Sequence, residues 1–175
     1  MKRYHPVLVA LHWLLAITII VMLLAGTFSL EPMLNSDPAK LDVLQIHMSL
    51  GLGVLVLMLI RLIVRWRSAH PPLADAGHPL LNRAGVWAHW GLYLLVFAMI
   101  GSGIGTSLMA GLPDIVFGRS GAPLPPDLMV FAPRQAHGII AKLLLLLVLA
   151  HVAAALYHQL IRRDGLLSRM WFGGR

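Results

Sequence analysis

Apolar residues run through this chain in four long uncharged stretches. Between Arg3 and Glu31 lie 27 uncharged residues, between Asp42 and Arg61 lie 18, and between Arg83 and Asp114 lie 30. A fourth stretch runs from Arg134 to Arg162 and is interrupted only by Lys142. A helix rising about 1.5 Å per residue crosses the hydrocarbon of a bilayer in roughly 20 residues, so each stretch is long enough to span. Backbone polar groups have no water partner in lipid, and these runs lack the period-two alternation of barrel strands. The predicted fold is therefore all-α: an integral membrane four-helix bundle, one domain over residues 1–175. The first run is longer than the roughly 7–15 apolar residues of a signal peptide and contains His12 and Trp13, which predicts a retained helix.

Composition agrees, with 58% hydrophobic residues against 12% charged, outside the range of soluble domains. The absence of cysteine excludes disulfides, iron–sulfur clusters, thiolate metal sites and covalent c-type haem, so redox chemistry requires an added cofactor. The net charge of +7 does not point to nucleic acid, because the basic residues flank the apolar runs instead of forming one face. They report topology. Lys2, Arg3, Arg61, Arg65, Arg67, Arg83, Arg162, Arg163, Arg169 and Arg175 fall on one side, and Lys40, Arg119 and Arg134 on the other. Ten against three places both termini and the segment from Arg67 to Arg83 in the cytoplasm. The outer loops are then residues 31–42 and 108–132, where Pro113, Pro123, Pro125 and Pro126 forbid a continuous helix and suggest a cap over the bundle.

Nine histidines are the chief candidate ligands. His5, His70 and His78 lie in basic or proline-rich cytoplasmic segments, where a solvated imidazole is the ordinary expectation. The other six lie in or at the ends of apolar helices, where an unpaired polar group costs several kcal/mol. His47 and His137 fall near the outer surface, and His12, His89 and His151 near the inner one. His137 and His151 are fourteen residues apart, a rise of roughly 21 Å and a rotation about 40° short of four turns, so one helix presents two imidazoles on one face at two depths. Depth pairs His47 with His137, and His12 with His151 or His89. Two such pairs imply two b-type haems, each gripped by an imidazole from either side and suited to electron transfer. Zinc would require further ligands nearby, and no carboxylate lies in the spans. Interhelical hydrogen bonding and proton relay are the alternatives for these histidines.

Arg61, fourteen residues after His47, shares its face at the inner level and is a candidate for a haem propionate, the alternative being snorkelling to headgroups. Arg134 is the corresponding candidate at the outer haem. Gly51, Gly53 and Gly138 lie beside the outer histidines, where missing side chains give a macrocycle room. Gly101, Gly103 and Gly105 favour close helix packing. Lys142 reads as a snorkelling lysine.

His12-Trp13 in the first span, Ile46-His47 opening the second, Leu59-Ile60-Arg61-Leu62 closing it, and His137, His151 and His158 on the fourth together resemble the bacterial cytochrome b561 family. These are small four-helix di-haem membrane proteins of the inner membrane that include superoxide oxidase, and the resemblance covers essentially the whole chain. It implies iron ligation by His12 and His151 at the inner haem and by His47 and His137 at the outer one. It also implies a quinone near the inner haem, with His158 and His89 as candidate contacts, because quinone reduction needs protons and imidazole is an apt donor. For the superoxide oxidase members the implied reaction passes electrons from superoxide, outside, through both haems to ubiquinone. Candidate steering cations are Lys40, Arg119 and Arg134, set within outer segments whose five acids outnumber those three cations.

The alternative function is a cytochrome b electron-transfer subunit that passes electrons from a partner dehydrogenase or hydrogenase to quinone. Such subunits are expected to carry docking extensions, whereas termini and loops here are short. The expectation is thus a self-contained oxidoreductase with the lipid bilayer, quinone and superoxide or another periplasmic donor as partners, and with no obligate protein partner.

Overall fold

The computed structural model describes residues 3–172. Lys2 and Arg175, counted above among the basic residues, lie outside the described residues. Four long helices follow one another: α1 (Pro6–Ala25), α2 (Ala39–Arg67), α3 (Pro79–Met109) and α4 (Ala132–Leu156). With the π-helical turns that extend α1 through Leu30 and α4 through Arg162, all four are long and apolar enough to cross a membrane. No strand occurs among the described residues. Tyr4 donates its amide to the Arg169 carbonyl at 3.2 Å, so both chain ends meet at one end of the bundle, here called the termini end. The opposite, loop end carries residues 31–38 and 110–131.

Helix limits follow local chemistry more than charge. His5 and His78 cap α1 and α3: each precedes a proline in the first turn and accepts the amide two residues on, Val7 at 3.3 Å and Leu80 at 3.2 Å. These two histidines thus have a structural task that their solvated setting did not suggest. Helix α2 starts ahead of Asp42, where the Asp37 side chain accepts the Ala39 amide at 2.9 Å, and it runs past Arg61 to Arg67. Its arginines satisfy the last turn's dipole, and Ser68, extended, ends it ahead of Pro71 and Pro72. Helix α3 stops at Met109 because Gly111, at φ 65°, turns the chain before Pro113.

Helices α3 and α4 pack extensively on each other, as do α1 and α2. Leu15, Leu23, Val54, Met58, Val96 and Leu144 form a buried cluster at mid-depth. Leu144 is seven residues from both His137 and His151, and Val54 seven from both His47 and Arg61, so this apolar layer lies between the two histidine levels. Many other apolar side chains face outward, including Ile17 and Val21 on α1, Leu94 on α3 and Leu146 on α4. Such a surface suits lipid. Lys142 is exposed among them, as a snorkelling lysine would be.

The proline-rich loop forms the expected cap. Leu112, Ile115, Val116 and Leu124 are buried against Leu44 and Ala110, with Leu30, Leu41 and Met48 packed around them. Asn35 ties the shorter loop to it by donating to the Pro125 carbonyl at 2.7 Å. At the other end, residues 163–172 fold back beneath the bundle. The Trp13 indole donates to the Met170 carbonyl at 2.7 Å and packs edge-on against Trp171, while Arg169 donates to the Pro72 carbonyl at 2.8 Å.

Candidate functional site

The helices bring the intramembrane histidines together in two tiers. At the loop end, the rings of His47 on α2 and His137 on α4 have centres 6.2 Å apart. At the termini end, His12 on α1 and His151 on α4 are separated by the same 6.2 Å. His89 on α3 joins the second tier, with its ring centre 5.3 Å from that of His151. A metal bonded to one nitrogen of each ring at about 2 Å, with about 1 Å more to each ring centre, separates the centres by about 6 Å. Both 6.2 Å pairs match that span, and the His89–His151 contact is shorter. Among the described residues no group of three His, Asp or Glu side chains is placed to hold a metal ion.

A serine that sequence reasoning did not single out lies against His137. Ser102 donates its one proton to the Met99 carbonyl at 2.9 Å, and its oxygen lies 3.1 Å from His137 Nδ1. Where Ser102 or the Met99 carbonyl, which also faces the ring, accepts from Nδ1–H, the lone pair of His137 is left on Nε2. The sequence signal was the small Gly101-Ser102-Gly103 step. A Cβ at Gly103 would come 3.3 Å from His137 Cε1, and one at Gly105 would come 3.2 Å from Pro133, while nothing stands within 4 Å of one at Gly101. Of this triplet, then, Gly105 serves close helix packing, Gly103 faces the histidine and Gly101 is open.

The arginines differ in their surroundings. Arg61 turns inward: its Nε donates to the Tyr93 hydroxyl at 3.1 Å and one terminal nitrogen to the buried Leu8 carbonyl at 2.9 Å. It lies close enough to His12, His89 and His151 to act on all three electrostatically, so it does not snorkel. Tyr93 is a second residue whose role was not visible beforehand. Arg134 lies near His47, His137 and Lys40. Lys40 is 6% exposed and donates to the Met33 carbonyl at 2.5 Å. Arg119 is elsewhere, exposed and paired with Asp42 at 3.0 Å and Gln45 at 2.8 Å.

His158 lies apart from the tiers, in the π-helical turn Tyr157–Arg162, and is buried at 7% exposure. Its Nδ1 is 2.5 Å from Asp164 Oδ2, and the Tyr157 ring packs edge-on against it. His158 has Asp164 and Tyr157 as neighbours, and His89 has His151.

A polytopic, all-helical membrane protein with a two-tiered histidine interior is the class that this fold and site define. The sequence model of the family described as prokaryotic cytochrome b561 matches residues 3–173. The chain belongs to that family, and membership implies haem b. It is 26% identical to a protein of Yersinia pestis named probable superoxide oxidase CybB, over 97% of this chain and 96% of that one. It is 28% identical to cytochrome b561 homolog 1 of Escherichia coli (strain K12), over 97% of each chain, and 30% identical to homolog 2 of the same strain, over 97% of this chain and 91% of that one.

Proposed function

We propose that this protein is a di-haem cytochrome b that acts as a superoxide:ubiquinone oxidoreductase of the inner membrane. The observation that carries the proposal is the equal 6.2 Å spacing of two imidazole pairs at opposite depths. In this reading His47 and His137 hold the outer haem, and His12 and His151 the inner one. Haem held by these histidines would supply one-electron transfer. The Ser102 hydroxyl keeps His137 in the ligating tautomer, and the mid-depth apolar cluster keeps water from between the tiers.

Arg61 and Arg134 are the candidate propionate partners, since a guanidinium matches a carboxylate and each lies by its own tier. The ten-to-three distribution of basic residues supports cytoplasmic termini, which makes the loop end periplasmic. Arg134, near His47, and Lys40, near Arg134, then supply the positive field that draws superoxide in, and Arg119 contributes less because Asp42 neutralises it. At the cytoplasmic end His158 and His89 are the candidate quinone contacts. Two superoxide anions each lose one electron and leave as dioxygen, while one quinone takes up two electrons and two protons to become quinol. The relative named probable superoxide oxidase, collinear with nearly the whole chain, supports this choice of donor.

Anaerobic rapid mixing of the purified holoprotein tests the reading. Superoxide is expected to reduce both haems quickly and added ubiquinone to reoxidise them. Haems that superoxide leaves oxidised, but that a quinol reduces, would remove superoxide as the donor.

A further inference from the structure

Asp164 has no place in the chemistry described so far, yet the chain takes an unusual course to present it. Arg163 and Gly165 on either side of it both adopt left-handed conformations, at φ 50° and 71°. For a residue with a Cβ, as at Arg163, this is a strained conformation that persists where surrounding contacts enforce it. The result is a sharp return after the π turn that carries the carboxylate back onto His158 six residues earlier. Both its oxygens are committed: Oδ2 to His158 Nδ1 at 2.5 Å, and Oδ1 to the Leu166 amide at 3.0 Å. The imidazole is nearly enclosed, with its side chain 8% exposed, whereas the Asp164 side chain is 30% exposed. A buried titratable group is thereby connected to water by one carboxylate. Other charged or titratable groups around the pair are Tyr157 and Arg162 from the same turn and Asp75 from the 68–78 segment. A cavity of about 400 Å³ opens on this turn, lined by Gln159, Leu160, Arg163 and Gly165.

We propose that Asp164 and His158 form a proton-delivery dyad for the bound quinone. The inference rests on the assignment of His158 as a quinone contact and adds Asp164 as its positioning residue. The carboxylate holds Nδ1–H, so that Nε2 faces away from Asp164 and toward the substrate, and its negative charge balances the imidazole whenever that ring carries an extra proton. One N–H bond at Nε2 of the doubly protonated ring breaks as an O–H bond forms on a quinone oxygen, the neutral ring keeps Nδ1–H on Asp164, and Nε2 is reprotonated from water that enters as the quinol leaves. The second quinone oxygen takes its proton from water, and the two electrons are those of two superoxide anions released as dioxygen. The Asp164 carboxyl suits this task. Burial raises it, but the His158 hydrogen bond and the Leu166 amide outweigh burial and hold it below the ordinary carboxylate range, so it is an anion at neutral pH.

The test uses the full-length holoprotein with superoxide as reductant and ubiquinone as acceptor, following haem reduction and quinol formation separately. Asp164→Asn keeps an acceptor for the Leu166 amide and is expected to leave the haem spectrum and haem reduction intact while slowing quinol formation at least about tenfold. Asp164→Glu is expected to recover part of the rate. Added formate is expected to restore Asp164→Ala in a saturable manner, but not His158→Gln. Asp164→Asn at the wild-type rate, beside a slow His158→Gln, overturns the dyad and leaves the quinone assignment standing. Wild-type rates in both variants overturn the quinone assignment as well. A slow Asp164→Ala that formate does not restore assigns Asp164 a purely structural role and also overturns the dyad.

Discussion

Ser102 links α3 to His137 on α4 through a single hydroxyl. Where the Ser102 proton stays on the Met99 carbonyl, its oxygen accepts from His137 Nδ1–H and leaves Nε2 free for the iron that the proposed function assigns to it. Ser102→Ala leaves Nδ1 without that acceptor. The expected outcome is a roughly 10- to 100-fold weaker hold on the outer haem and a changed outer midpoint potential, with the inner haem unaffected, as read by redox titration. Two unchanged potentials would remove Ser102 from the site. His137→Ala or His47→Ala is expected to abolish the outer haem alone, and His12→Ala or His151→Ala the inner one. Pigment analysis showing both haems in His137→Ala would end the pairing. The pairing by depth was legible from the fourteen-residue step along one helix, because that argument needs only helical geometry. The choice between His12 and His89 as partner of His151 was not, since both lie at one depth, and the structure sets both beside His151, with ring spacings of 6.2 Å and 5.3 Å.

Helix α3 meets α4 through small residues, and Gly101, Gly103 and Gly105 carry different constraints. Gly103→Val is expected to press on the His137 ring, destabilise the protein by about 1–3 kcal/mol and lower outer haem content, whereas Gly101→Ala is expected to be silent. Thermal inactivation and haem content of the two variants check this, and equal effects would contradict it. At the termini end, carboxylates hold the chain's return at Asp164 and the 68–78 segment that Arg169 contacts. Asp75 is held below the ordinary carboxylate range by the Asn82 side chain and the Gly77 amide, and Asp164 by contacts that outweigh its burial. A carboxyl depressed on folding contributes stability above its unfolded pKa of about 4 and loses it as pH falls toward the lower folded value. Hydrogen exchange of residues 163–172, corrected for intrinsic rates, is therefore expected to be flat from about pH 7 to 5 and to rise below about pH 4. Flat exchange through about pH 3 would deny the carboxylates that role.

The whole molecule places one cation-rich end opposite an end with more acids than bases, and this asymmetry leads to a prediction about orientation. Reporter fusions at the C-terminus are expected to be active only as cytoplasmic reporters, and a periplasmic signal there would invert the assignment of superoxide and quinone to the two ends. Hydropathy and helix length alone determined that there are four spanning helices, because a bilayer leaves an apolar run no other way to satisfy its backbone. Helical geometry then determined that His137 and His151 occupy one face at two levels. Contacts between residues far apart in the chain lay beyond such reasoning. Ser102 on His137, Tyr93 on Arg61 and Trp13 on Met170 each join different elements, and no local periodicity encodes which side chain meets which. The turn that brings Asp164 to His158 was hidden for a related reason. It depends on a π winding and two left-handed residues, conformations that the packed termini end imposes on a segment whose residue types do not demand them.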